Sequence, residues 1–268
     1  MPEVTINGHT TTWWETGSGE PLLFIMGTGM SGRAWAYEVE HFAATHRCIT
    51  YDMRGVGTAD CPDSEYTPAL LAEDAVALLD AIGIDSAHVM GFSLGSCTAQ
   101  EMVLNHPDRV RSAVLLSTWG RTADEHHVRR HYESRRYALQ HATLDVFGRF
   151  AFWMWSPTLL EEEHERITAL EGELRAWTGS KDVSGFIGHF SADLAHDAID
   201  RLPTVDTPVL VVHGDEDRIT LPRYNRRVAA AIPGAVYVEI PRAGHLAFLE
   251  QPAALNKAVG DFLSGLEG

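Results

Sequence analysis

At 268 residues, with 45% of them hydrophobic, the chain is long enough for one large domain carrying an insertion and has ample material for a core. Its 21 Lys and Arg against 37 Asp and Glu give a formal charge of −16, which repels nucleic acid and anionic lipid, so neither is an expected partner. Its 3 cysteines form no CxxC pair, no basic-then-apolar leader opens the chain, and no apolar run approaches about 18 residues; these features predict a chain of the reducing cytoplasm, outside any membrane.

In chain order, Val4-Thr5-Ile6 and the run Thr10 to Trp14 flank Asn7-Gly8, a dipeptide that favours a tight hairpin turn. Leu22-Leu23-Phe24-Ile25-Met26 is an unbroken apolar run, as expected of a strand buried on both faces of a parallel sheet, and it ends in Gly27-Thr28-Gly29. Cys48-Ile49-Thr50-Tyr51 predicts another strand. The Asp52 and Arg54 that follow, in a Gly-rich turn, are read as holding the loop through hydrogen bonds. Pro68 suits the first turn of a helix reaching about Ile82, with Leu70, Leu71, Ala75, Leu78 and Leu79 on one face.

Ala87 to Met90 predicts a further strand running directly into Gly91-Phe92-Ser93-Leu94-Gly95 and a helical pattern up to Leu104. A serine at such a strand-to-helix turn is forced into a strained backbone, and the chain crosses so closely that Gly91 and Gly95 have no room for a Cβ. Ser93 then stands at a helix N-terminus, where unpaired amides favour an anion. The amides of Leu94 and of Thr28, the latter on the glycine loop after the earlier strand, are candidates for an oxyanion hole. A nucleophilic Ser93 would need an acid and a histidine further along the chain.

Val110 to Ser117 predicts one more strand; strand and helix have by then alternated often enough to imply a parallel sheet covered on both faces. The alternation stops at Trp119. From there to about Asp200 only helical periodicity is present, over Asp124–Leu139, Leu144–Trp155, Thr158–Trp177 and Val183–Ala198. The predicted organisation is a core of residues 1–118 and 201–268 and a helical cap, or lid, of residues 119–200 above the carboxyl ends of the strands. The insertion is rich in aromatic residues, and Trp119, Phe147, Phe150, Trp153 and Phe186 are expected to line a large apolar pocket for a bulky hydrophobic small molecule. His126, His127 and His131 have helical spacing but no paired acid, and Arg129 and Arg130 stand between them, so a solvated helix face is expected rather than a metal site.

The alternation resumes at Pro208-Val209-Leu210-Val211-Val212-His213 and reaches Gly214-Asp215-Glu216-Asp217, where Asp215 and Asp217 compete for the role of a histidine-orienting carboxylate. A helix over Pro222–Ile232 and a strand over Val236–Ile240 follow, then the loop carrying Gly244-His245.

Ser93, the acid and His245, in that order and each at the end of a strand, closely resemble the α/β-hydrolase fold family, together with the Tyr51-Asp52-Met53-Arg54-Gly55-Val56-Gly57 run and Glu250 and Pro252 beyond the histidine. The resemblance implies a mostly parallel sheet with helices on both faces and an inserted helical lid. It also implies that the acid is the last residue of Gly-x-x-Asp, here Asp217, and that Ser93 is the nucleophile, His245 the general base and then acid, with the Thr28 and Leu94 amides as oxyanion hole. Dehalogenases and epoxide hydrolases of the fold use an aspartate nucleophile, which Ser93 argues against. Many members carry His-Gly where this chain has Met26-Gly27, so a hydrogen bond ordering the oxyanion loop is missing from its usual source. That Met-Gly pair with Ser31-Gly32-Arg33-Ala34-Trp35 is similar to the branch containing anthracycline methyl esterases. The implied activity is hydrolysis of a carboxylic ester, lactone or thioester through an acyl-enzyme, without cofactor or metal. The competing expectations are C–C bond hydrolysis and a non-hydrolytic cyclase or isomerase acting on a polyketide-like molecule.

Overall fold

The computed structural model describes residues 2–62, 65–141, 149–177 and 183–266. Strands β1 (Glu3–Ile6) and β2 (His9–Thr16) form the expected hairpin, with Ile6 opposite His9. Asn7 and Gly8 take φ of 44° and 80°, the left-handed pair that a two-residue hairpin turn requires. The parallel part is built from β3 (Glu20–Ile25), β4 (His46–Tyr51), β5 (Ala87–Phe92), β6 (Val110–Leu116), β7 (Val209–Gly214) and β8 (Val236–Ile240). The 8-stranded sheet has the order β1-β2-β4-β3-β5-β6-β7-β8, antiparallel only where β2 meets β1 and β4.

Period-two alternation sends Leu23, Ile25, Val89, Leu115 and Val211 into the core on one face, and Leu22, Phe24, Met90, Val114 and Leu210 into the core on the other. Burial on both faces is why these strands read as unbroken apolar runs. Helix α1 (Ala36–Phe42) follows a 3-10 turn at Gly32–Trp35, and neither stood out in the periodicity. Helix α2 (Pro68–Ala81) is capped by the Thr67 hydroxyl, which accepts the Leu70 N–H, and α3 (Leu94–Asn105) starts at the elbow. Arg54 forks onto Asp74 of α2 at 2.5 and 2.6 Å, while Asp52 accepts from Ser31 Oγ at 2.6 Å and the Thr58 amide at 2.9 Å. Both charged residues therefore fasten loops to the core.

Between β6 and β7 lie α4 (His126–His141), a 3-10 turn at Arg149–Met154, α5 (Pro157–Glu162), α6 (His164–Trp177) and α7 (Val183–Ala195). Two expectations for this stretch are corrected. The described part of the helix expected over Leu144–Trp155 is 3-10, and it ends before Ser156, whose hydroxyl accepts the Leu159 N–H and caps α5. The single helix expected over Thr158–Trp177 is two, because Glu163 departs to φ −131° and closes α5. Beyond β7, α8 (Pro222–Ala231), α9 (Ala247–Glu250) and α10 (Pro252–Ser264) complete the chain; α10 buries Leu255, Val259 and Leu263 against the sheet. None of the described helices is long and apolar enough to cross a membrane.

Candidate active site

Because β3, β5, β7 and β8 run parallel, their carboxyl ends bring four loops to one edge of the sheet: Gly27-Thr28-Gly29, the Ser93 turn, Asp215-Glu216-Asp217 and Gly244-His245. The elbow has the strain its sequence implies. Ser93 sits at φ 52°, ψ −117°. A Cβ on Gly91 would lie 2.1 Å from the Gly95 carbonyl oxygen, and one on Gly95 would lie 2.1 Å from that of Ile25. Only glycine fits at either position.

Ser93, Asp217 and His245 are all buried. His245 Nδ1 donates to Asp217 Oδ2 over 2.8 Å, so Nε2 carries the lone pair, and it lies 3.1 Å from Ser93 Oγ. Asp217 Oδ1 accepts the amides of Ile219 at 2.7 Å and Thr220 at 2.9 Å, and the Thr220 hydroxyl reaches Oδ2 at 2.7 Å. Burial alone would raise the Asp217 pKa, but the charge and hydrogen bond of His245 and the Thr220 and Ile219 donors outweigh it and hold the carboxyl below its ordinary value. Phe92 packs on the imidazole with ring centroids 4.9 Å apart. Asp215, the other candidate, is exposed, and its amide bonds to the Ile240 carbonyl.

Leu94 opens α3, so its amide has no acceptor within the helix. On the facing loop, a Cβ on Gly27 would lie 3.2 Å from Ser93 Cβ, which measures how closely the two backbones approach. The Met30 N–H there goes to the Gly27 carbonyl at 3.2 Å and the Gly29 N–H to His189 Nδ1, also at 3.2 Å. The Thr28 hydroxyl donates to Asp193 Oδ2 over 2.7 Å.

Every one of these loops is also fastened to the insertion. The His245 N–H bonds to the Met154 carbonyl at 2.8 Å. Glu250 accepts the amides of Gly244 at 3.1 Å and Ser156 at 2.9 Å. Glu216, beside Asp217, accepts the Ser156 hydroxyl at 2.5 Å and also bonds Thr158. Tyr132 of α4 places its hydroxyl 3.4 Å from Ser93 Oγ.

The cavity over Ser93 is only about 40 Å³, with Thr28, Phe92, Tyr132, Met154, Phe186 and Phe190 in its wall. Among the described residues, the expected large apolar pocket does not stand above the serine. Trp119 is fully buried against Tyr132 and His196, outside that wall, and its indole N–H donates to Thr122. Phe186 does line the cavity. Trp153 lines instead a neighbouring recess of about 370 Å³, together with His127, Arg130, Arg135 and Arg218. His131, Arg135 and Ile219 border both spaces. Phe147 and the side chain of Phe150 lie outside the described residues.

Tyr132 and Arg135 at the serine were not singled out in the sequence, and His131, expected on a solvated helix face, instead borders the cavity over Ser93. The available signal was the spacing of Val128, Tyr132 and Leu139, the buried face of α4. His131 borders the cavity over Ser93, and burial, aided by the charges of Arg135 and His245, holds its pKa well below the ordinary value. His127 Nε2 bonds the Arg218 carbonyl at 2.6 Å. Among the described residues, no three His, Cys, Asp or Glu side chains gather as a metal would need. Of the cysteines, Cys48 and Cys97 are buried, while Cys61 is only half-buried, with Sγ 3.1 Å from Ser184 Oγ.

Residues 20–252 match the family model described as the alpha/beta hydrolase fold. A Mycobacterium tuberculosis protein provisionally named non-heme bromoperoxidase BpoC is 33% identical over 262 residues, spanning 94% of this chain and 97% of that one. Among solved structures, a hydrolase from Pseudomonas aeruginosa superposes with a TM-score of 0.86 at 29% identity, covering 98% of this chain and 97% of that one. The enol-lactonase from Burkholderia xenovorans gives a TM-score of 0.88 at 25% identity, covering 98% and 100%.

Proposed function

The chain belongs to the α/β-hydrolase fold family and is a hydrolase of that fold, and from this premise we infer that it cleaves carboxylic esters or lactones through an acyl-enzyme on Ser93. The observation that carries this reading is the continuous chain of hydrogen bonds, 2.8 Å from Asp217 to His245 and 3.1 Å from His245 to Ser93, at a strained elbow. Likeness to a structure described as an enol-lactonase supports including lactones.

His245 Nε2 takes the Ser93 proton as Oγ attacks the carbonyl carbon, and Asp217 stabilises the imidazolium that forms. The carbonyl oxygen becomes an oxyanion between the Thr28 and Leu94 amides, each worth about 3 kcal/mol in the transition state. As the tetrahedral intermediate collapses, His245 returns the proton to the leaving alkoxide. Water then enters, gives a proton to His245 and attacks the acyl carbon, and as this second intermediate collapses His245 passes that proton to Ser93 Oγ, releasing the acid. The helices of residues 119–200 act as a cap. The small inner cavity takes the reacting carbonyl, and a bulky hydrophobic remainder extends toward the recess at Trp153.

The test is p-nitrophenol release from acetate and butyrate esters by the wild type and by Ser93→Ala, followed well past one equivalent per chain. Sustained turnover that the variant loses is expected. Turnover unchanged in Ser93→Ala would overturn the reading. A single burst would instead favour a non-hydrolytic use of an activated serine.

A further inference from the structure

Position 26, just before the loop, is a buried methionine whose side chain offers no N–H or O–H donor. What holds the loop comes from α7, some 160 residues downstream. Phe186, His189 and Asp193 recur at helical spacing along α7 and face residues 28 and 29. The Phe186 ring lies so close to Gly29, itself at φ +71°, that a Cβ there would be 1.7 Å from ring carbon. His189 accepts the Gly29 N–H at Nδ1 and spans to the Arg54 carbonyl through Nε2 at 2.9 Å, an arrangement available only to the neutral imidazole with its proton on Nε2. Burial lowers the His189 pKa to about 4, so that form prevails at neutral pH. Asp193, fully buried, accepts the Thr28 hydroxyl at 2.7 Å. The two bonds hold Thr28 by its side chain and by the peptide that follows it.

We propose that His189 and Asp193 are positioning residues which build the oxyanion hole from the insertion, fixing the Thr28-Gly29 turn so that the Thr28 N–H faces the carbonyl oxygen of a substrate on Ser93. The inference rests on the serine-hydrolase reading. Neither residue touches the reacting atoms; each acts through the loop. Asp193 serves as an acceptor, and its Oδ1 has no hydrogen-bond partner among the described residues. Burial pushes its pKa well above the ordinary value, against the Thr28 bond and the Arg135 charge, which favours a neutral carboxyl.

The experiment compares Asp193→Ala, Asp193→Asn, Thr28→Val and the double variant Thr28→Val/Asp193→Ala by steady-state hydrolysis of p-nitrophenyl butyrate, by fluorophosphonate labelling of Ser93 and by thermal melting. Asp193→Ala is expected to lower kcat about 10- to 100-fold, as a donor displaced by about 1 Å does, with KM little changed. Labelling should slow in step. Asp193→Asn, which keeps an acceptor oxygen, is expected to restore most of kcat, and the double variant should be no slower than either single one, because both remove the same bond. His189→Ala should behave as Asp193→Ala does; if it does not fold, the Asp193 series alone decides. Wild-type kcat in Asp193→Ala, or an Asp193→Asn as slow as Asp193→Ala, overturns the proposal. If the wild type shows neither Ser93-dependent turnover nor labelling, the serine-hydrolase reading fails first and this inference falls with it. Normal wild-type turnover with insensitive Asp193 variants sinks the positioning role alone.

Discussion

Asp215 and Asp217 stand two residues apart after the same strand, yet only Asp217 is enclosed, with two amides, a hydroxyl and an imidazole on its oxygens. Replacing it by Asn removes the charge that steadies the imidazolium and permits the wrong imidazole tautomer, so kcat/KM for an ester is expected to fall about 10³- to 10⁴-fold. Asp215→Asn should stay near wild type; a reversal of the two would place the acid at Asp215. The choice between them was not legible in local chemistry, because both residues suit an acidic turn and burial is a property of the folded chain. It came from the Gly-x-x-Asp pattern. Ser93 was legible for a different reason: its neighbours Gly91 and Gly95 record a steric demand that no other residue meets.

The elements show the same division. Strands buried on both faces announced themselves as apolar runs. The insertion did not, since Glu161, Glu162 and Glu163 run through the break between α5 and α6 without a Gly or Pro to mark it. Tyr132 was hidden for a related reason: α4 carries so many charges that one buried face was outvoted in the average. The β5-α3 junction has no room for added side chain. A methyl group at position 95 would drive into the Ile25 carbonyl, which is backbone and cannot swing away. Gly95→Ala is therefore expected to destabilise the protein by at least about 3 kcal/mol and to abolish turnover. Thermal melting and activity measured together check this, and an unshifted melting temperature would contradict the close approach of β3 and α3.

At the scale of the whole molecule, Glu250 links α9, the His245 loop and the insertion through the amides of Gly244 and Ser156. Burial raises its pKa from 4.5 to about 7, against those bonds. The folded chain thus holds this proton more tightly than the unfolded chain does. The stability it contributes is complete below about pH 4.5 and is lost as pH rises through about 7. Glu250→Gln lacks this dependence, so its melting temperature relative to wild type should increase between about pH 5 and pH 8. A constant offset over that range would show that Glu250 does not titrate there. The fastening of each loop around Ser93 to residues between β6 and β7 has a consequence for how such a molecule can be altered. The insertion is not a transplantable part. Helices grafted from a relative would bring foreign side chains opposite Thr28, Gly29 and Glu216, and a new substrate preference would arrive with a disordered Gly27-Thr28-Gly29 loop unless those partners were carried over in the same graft.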